Sequence, residues 1–387
     1  MSGSNGFTRR EALGIIGMGM AATAMPRLAA VAPPTFPEGA VIRTILKDYA
    51  PEDLAGGATL FHEHMSFADD FMTRWTRFAA DTRRENAMPG AASPAAAPAA
   101  GRQGGAAQTP APPPSTPSGK YFMQDLAYQV DELKLARSEG VACIVDGGHP
   151  DMGRDINFLR QLSQQSGLPI VAGGGFYTQP FYPRELASWS EDQIFQALMK
   201  QAETEPIGCW GEIGSWDWIT KDERRVFRAV GRASVATNLP IFTHTGIPGK
   251  SALEQLDIFE DVGVDPKKVV IGHVGNLVDP NVEVHRAICR RGAFIGFDRQ
   301  GGPGDTQQVP MVIKLIDAGY ADNLMIASDL ANIAQTKKGG GPGYARALTV
   351  FVPKLKAAGA TDEVLTQIMN DNPRRFLAFV PKQARKA

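Results

Sequence analysis

"CWGEIGSWDWITKDERRVFRAVGRASVATNLPIFTHT" (209–245) carries the pattern that decides the fold. It opens on a short apolar run, 209–214, and closes on another, 239–245, with a segment of helical period, 222–238, between them. Continuous apolar runs are strands covered on both faces, and a helix joining two of them implies a parallel sheet. The same unit recurs outward in both directions. Strand-like runs stand at 58–64, 141–148, 168–177, 209–214, 239–245, 268–274, 292–298 and 323–329, each followed by a helical pattern. Eight such units predict an α/β chain closed into a (β/α)8 TIM barrel. An open doubly wound sheet is the alternative, but "AGGGFY" (172–177) lacks the GxGxxG spacing of its dinucleotide fingerprint.

The length of 387 residues suits one large barrel, and a formal net charge of −1 leaves no electrostatic footprint for nucleic acid or an anionic membrane. Three cysteines, Cys143, Cys209 and Cys289, are odd in number and form no CxxC pair. That argues against a disulfide framework and against a thiolate metal site; Cys143 and Cys209 read as small buried hydrophobes. The start of the chain differs. "TRREALGIIGMGMAATAMPRLAAVA" (8–32) pairs Arg9 with Arg10, continues through an apolar stretch too weak to span a membrane, and ends on Ala30-Val31-Ala32. It resembles a twin-arginine export signal over residues 1–32, which predicts a periplasmic or secreted enzyme from 33 to 387; a disordered tail is the alternative. Residues 87–118 are almost wholly Ala, Pro, Gly, Ser and Thr, and predict a disordered insertion in the loop after strand 1.

Every strand ends in a polar residue: His62 and His64, Asp146, Tyr177, Glu212, His244, His273, Asp298 and Asp329. A barrel gathers its strand C-termini at one face, so residues remote in sequence converge there. Within "HEH" (62–64), side chains two apart share a face, so His62 and His64 project together and Glu63 points away. His62, His64, Glu212, His244, His273 and Asp329 thus offer six nitrogen and oxygen donors at one rim. They suffice for two divalent ions with a bridging carboxylate. Imidazole and carboxylate without thiolate suit Zn first, and Mn, Co or Fe(II) as well. Two ions about 3.5–4 Å apart hold a hydroxide between them and polarise a substrate oxygen. Taken singly, each histidine could be a core residue, Glu212 an ion-pair partner and Asp329 an N-cap, but these readings would have to hold together on five strands. His149 follows strand 2, and His285 falls in a helix where a solvated role is expected. Arg299, past strand 7, either meets a substrate carbonyl or carboxylate or pairs with a neighbouring acid. Trp216 and Trp218 form either a pocket wall or ordinary loop packing.

"FHEHM" (61–65), "VDGGHPDMGRD" (145–155), "VAGGGFY" (171–177), "LPIFTHTG" (239–246), "VVIGHVGN" (269–276), "GFDRQGG" (296–302), "IASDLA" (326–331) and "NDNPRRFLA" (370–378) together resemble the phosphotriesterase family of the amidohydrolase superfamily, which includes lactonases and phosphotriesterase homology proteins. The resemblance implies that His62, His64 and Asp329 bind a buried metal ion, that His244 and His273 bind a more exposed one, and that position 212 bridges them. Many members carry a carboxylated lysine there; the homology proteins resemble this chain in using glutamate, so phosphotriesterase activity does not transfer one for one. It further implies hydrolysis of a small ester, lactone or organophosphate by the bridging hydroxide, with Asp329 relaying the proton. Tyr177 stands where lactonases place a tyrosine near the nucleophile; it either orients substrate or packs at the mouth. By analogy alone, the family allows a homodimer. "GEIGSWDW" (211–218) is similar instead to TatD-like metal-dependent nucleases, and an amidase of the same superfamily is a further alternative. A nuclease needs phosphate-binding basic groups at the mouth, and "KDERR" (221–225) is the one nearby cluster.

Overall fold

The computed structural model describes residues 33–86, 115–246, 251–277 and 279–382, with the side chains of 81–86 excepted. The export-signal reading of residues 1–32 lies outside them, and the fold is that of the unit Pro33–Ala387. Eight strands form one sheet in sequence order: β1 (Ala58–Glu63), β2 (Val141–Asp146), β3 (Ile170–Gly174), β4 (Ile207–Ser215), β5 (Ile241–Thr245), β6 (Val269–Ile271), β7 (Phe294–Phe297) and β8 (Leu324–Ile326). Every neighbouring pair is parallel. The fold is the (β/α)8 barrel, with each strand at the run expected for it.

Alternation along the strands separates two cores. Phe61, Cys143, Val145, Val171, Cys209, Phe242, Val270 and Met325 fill the barrel interior. Leu60, Ile144, Ile170, Trp210, Ile241, Ile271 and Ile326 belong to the second cluster, which they share with the helices. All three cysteines are buried and free. The unit quoted at the outset shows how local chemistry sets the elements. The helix Lys221–Thr237 starts at a capping box in which the Thr220 hydroxyl accepts from Glu223 N while the Glu223 side chain accepts from Thr220 N. Its Val226, Phe227, Val230 and Ala233 are buried, and Asn238 ends it with φ 67°. Asn is one of the few residues that enters that region readily.

No backbone ladder joins β8 to β1 among the described residues. Side chains and single amides close the ring instead. Asp329 N donates to the His62 carbonyl at 3.1 Å, and the Glu63 carboxylate accepts from Ser328 N at 2.6 Å and Leu330 N at 2.9 Å. Glu63 does point away from the two histidines, and its outward carboxylate is what seals the barrel.

Two expectations need correction. The insertion does not follow β1 directly: helix α1 (Phe71–Asn86) intervenes. It runs straight into the low-complexity stretch, which hides its end in the sequence. Residues 87–114 lie outside the described residues, but Ser115–Ser118 are ordered into the fold. Ser115 bridges to Tyr121, and the hydroxyls of Thr116 and Ser118 donate to Asp125 at 2.6 and 2.5 Å. Asp125 is also the N-cap of α2 (Leu126–Ser138), accepting from Tyr128 N. Burial alone would raise its pKa, but these donors hold the carboxyl below the usual range. Asp125→Ala is therefore expected to cost about 1–2 kcal/mol in urea denaturation. Because the folded pKa is depressed, that difference is full above the ordinary carboxylate range and shrinks as pH falls through the lowered value. His285 is the second correction. It is buried rather than solvated, with Nε2 at 2.8 Å from the Val274 carbonyl and its ring stacked on Phe297. Its helix packs that face inward, which a lone histidine in a helical pattern does not reveal. No helix among the described residues is long and apolar enough to cross a membrane.

Candidate metal centre

The strand ends bring all six expected donors together. His62 and His64 come from the end of β1, Glu212 from β4, His244 from β5, His273 from just past β6 and Asp329 from just past β8. The Glu212 carboxylate lies among the four imidazoles. Its Oε2 is 3.4 Å from His62 Nε2 and 3.6 Å from His64 Nε2. Its Oε1 is 2.7 Å from His244 Nδ1 and 2.8 Å from His273 Nε2. Asp329 Oδ1 reaches His64 Nε2 at 3.2 Å and His62 Nε2 at 3.9 Å. Two sets able to hold a metal ion result: His62, His64 and Asp329, and Glu212, His244 and His273.

A third set, His62, His273 and Asp298, has ligating atoms equally close, but its atoms face the wrong way. Asp298 takes the Nδ1 edges, 3.0 Å from His62 and 2.7 Å from His273. Each ring then turns its Nε2 edge toward Glu212. A carboxylate behind a ligating histidine sets tautomer and orientation in this manner. The sequence marked Asp298 as a strand-end acid without assigning it this task.

The donors fit a cation. His62 Nε2 is fully buried with no hydrogen-bond partner. Buried Glu212 and Asp298 and half-buried Asp329 gather three carboxylates in one cluster, with the Arg299 guanidinium beside them. Burial disfavours a charged His62, yet Glu212 and Asp298 raise its pKa well above the ordinary value. Burial likewise works against ionised Glu212 and Asp329, yet His62 and His244 for the former, and His64 and Arg299 for the latter, keep both well below the usual carboxylate range. Protons on imidazoles here balance carboxylates that a divalent cation would balance better. Burial lowers His244 to about 4, leaving a neutral ring. Two donors sit on strained backbone, His273 with φ 60° and Asp329 with φ 48°. Asp298 accepts from His273 N at 3.1 Å, and Glu63 grips the amides on either side of Asp329. The surrounding bonds thus over-determine both conformations.

Tyr177 and Arg299 also reach the site. The Tyr177 hydroxyl is 3.0 Å from His244 Nδ1, and burial together with Glu212 holds the phenol well above its usual pKa, so it keeps its proton. Arg299 Nε donates to Asp329 Oδ2 at 2.9 Å. Of its two expected roles, pairing with an acid is the one present, and its side chain also lines the cavity. That cavity, about 450 Å³, is bounded by apolar Phe71, Met72 and Trp75 of α1, and by polar Arg299, Asn332 and Arg346. Trp216 packs against the His244 ring with centroids 5.5 Å apart, and Trp218 is exposed. The tryptophan that lines the cavity is Trp75, which sequence reasoning missed because it missed the helix.

With this geometry in view, the sequence model of the phosphotriesterase family matches residues 42–377. The chain belongs to the phosphotriesterase family. Family membership makes it a hydrolase of a metal-dependent family. Among curated proteins it is 32% identical over 271 residues to an aryldialkylphosphatase of Saccharolobus solfataricus, covering 64% of this chain and 84% of that one. It is 28% identical over 269 residues to the N-acetyltaurine hydrolase of Homo sapiens, covering 64% and 76%. Among solved structures it is similar to a resiniferatoxin-binding protein from Rhodobacter sphaeroides, with TM-score 0.70, 25% identity and 89% and 97% coverage. The phosphotriesterase homology protein of Escherichia coli, at TM-score 0.68, 24% identity and 85% and 100% coverage, shares the fold.

Proposed function

We propose that the protein is an exported, binuclear metal-dependent hydrolase of small esters, lactones or organophosphates. One observation carries the reading: the two oxygens of Glu212 address different donor sets, Oε2 the imidazoles of His62 and His64, Oε1 those of His244 and His273. A carboxylate so held is suited to bridging two cations. On this reading His62, His64 and Asp329 would hold one ion and His244 and His273 the other, with Glu212 placed to serve both. Zinc is the first choice for such ligands, with Mn, Co and Fe(II) served by the same donors. When bound, the ions supply an activated water and polarise the substrate oxygen.

The chain's own residues do the remainder. Asp298 keeps the Nε2 lone pairs of His62 and His273 turned inward. Asp329, ionised and held by Arg299, is the base that accepts a proton and passes it toward the leaving group. Tyr177 offers a hydrogen-bond donor to substrate, and Arg299 an orienting charge. A cavity of this volume suits a small molecule. An amide is the second reading, favoured by the N-acetyltaurine hydrolases among the relatives. The nuclease reading lacks support, since Arg224 pairs with Glu254 and Arg225 with Asp222, away from any phosphate-binding role. The signal over residues 1–32, periplasmic or secreted location and a homodimer complete the proposal.

The test uses protein spanning residues 33–387, chelated, reloaded with each metal and assayed on esters, lactones, phosphotriesters and amides. About two ions per chain are expected, with turnover lost on chelation and restored by metal. Turnover that ignores the metal, or a fully loaded protein inert on the whole panel, would sink the reading.

A further inference from the structure

Trp75 lies in α1, and its side chain lines the cavity. Its indole N–H donates to the phenolic oxygen of Tyr177 at 2.9 Å, across 102 residues of sequence. The same oxygen stands 3.0 Å from His244 Nδ1. The indole is held there by neighbours: the Trp216 ring has its centroid 5.6 Å away, and the Arg299 guanidinium carbon is 5.9 Å from the Trp75 ring.

Hydrogen-bond chemistry makes this contact directional. An indole nitrogen can donate and cannot accept, whereas a phenol has one proton and two lone pairs. Trp75 therefore consumes a lone pair of Tyr177, and the phenol's single proton must leave on another side, toward His244 and the cavity. Once the His244 Nδ1 lone pair is committed to a cation, the proton has no other acceptor among the described residues and is free for a ligand.

We propose that Trp75 is a positioning residue that makes Tyr177 an obligatory hydrogen-bond donor to the acceptor oxygen of a bound carboxylic ester or amide. The inference rests on the hydrolase reading, because it needs His244 to be a metal ligand. No proton is transferred in this step: the O–H bond of Tyr177 stays intact, and the substrate oxygen gains a directed donor. The surroundings define the class of substrate. It carries an oxygen acceptor at the reacting carbon, and an alkyl or aryl portion that lies against Phe71, Met72 and Trp75.

Two measurements on the full-length protein test this, and the first does not depend on turnover. In ¹⁵N-labelled protein the Trp75 indole N–H resonance, assigned by its loss in Trp75→Phe, is expected to move upfield in Tyr177→Phe, which removes its acceptor. An unchanged resonance overturns the proposal, whatever the enzyme hydrolyses. The second measurement is a double-mutant cycle. Trp75→Phe keeps an aromatic ring and drops the N–H; kcat is expected to fall about tenfold with KM within about twofold, the size of one lost directed hydrogen bond. In a Tyr177→Phe background the same substitution should cost nothing further. An equal fall in both backgrounds, or none in either, means that Trp75 only packs and also overturns the proposal. Unchanged melting temperatures guard against a folding defect. A wild-type chain inert on every ester and amide would remove the hydrolase reading, and with it the substrate step, while the resonance still reports whether Trp75 orients the phenol.

Discussion

On the proposal that Glu212 bridges two ions, Glu212→Gln is expected to lower kcat by roughly a thousandfold or more and to leave one bound ion per chain at most. Glutamine keeps the shape but offers one acceptor oxygen. Its NH₂ group would face either His62 and His64 or His244 and His273, at contacts of 2.7–3.6 Å that a carboxylate oxygen now fills. Whichever set met the NH₂ would lose its shared ligand and confront a donor instead. Steady-state kinetics beside elemental analysis of the purified variant check this. Two retained ions with near-normal turnover would dismiss Glu212 as the bridge, even though it lies at the middle of the cluster.

The second large effect is expected behind the site. Asp298→Asn should weaken metal binding about 10–100-fold, as loss of a carboxylate behind a ligating histidine does elsewhere. The carboxylate now meets three groups: His62 Nδ1, His273 Nδ1 and His273 N. Asparagine has one oxygen for all three, and its NH₂, turned to either ring, would invite the tautomer whose Nε2 carries a proton toward the metal position. Burial alone would raise the Asp298 pKa, but His273 and His62 hold it well below the usual value. A depressed folded pKa means that its contribution to stability in the metal-free protein is present above the ordinary carboxylate range and fades as acid approaches the lowered value. Removing it is expected to cost the metal-free protein about 3 kcal/mol at neutral pH, the scale for breaking one partner from a buried charged cluster. Isothermal metal titration and urea denaturation after chelation measure the two effects separately. Equal metal affinity in the variant would reduce Asp298 to packing.

Much of this molecule could be read in one dimension because the relevant physics is local. Continuous apolar runs beside helical periods are properties of short windows, and each of the eight strands falls at its window. The polar residue closing each run identifies a donor, since a barrel sends every strand end to one rim. His62, His64, Glu212, His244, His273 and Asp329 were legible for that reason, as was the direction of Glu63. Where a low-complexity run adjoined an element, the reading failed. Helix α1 borders a stretch of Ala, Pro and Gly, and with it Trp75 was lost. Ser115 to Ser118 look like more of that stretch, yet Asp125 orders them through hydroxyl donors that composition does not register.

The amino-acid order by itself determined the barrel, the donor set and their shared rim, because strand period and strand-end position depend on neighbours a few residues apart. Only the folded chain decided how those donors divide. Which oxygen of Glu212 meets which imidazole, Asp298 reaching His62 from 236 positions away, and Trp75 turning the proton of Tyr177 are contacts between distant segments. Their geometry comes from ring closure and side-chain packing, and no window along the chain contains both partners.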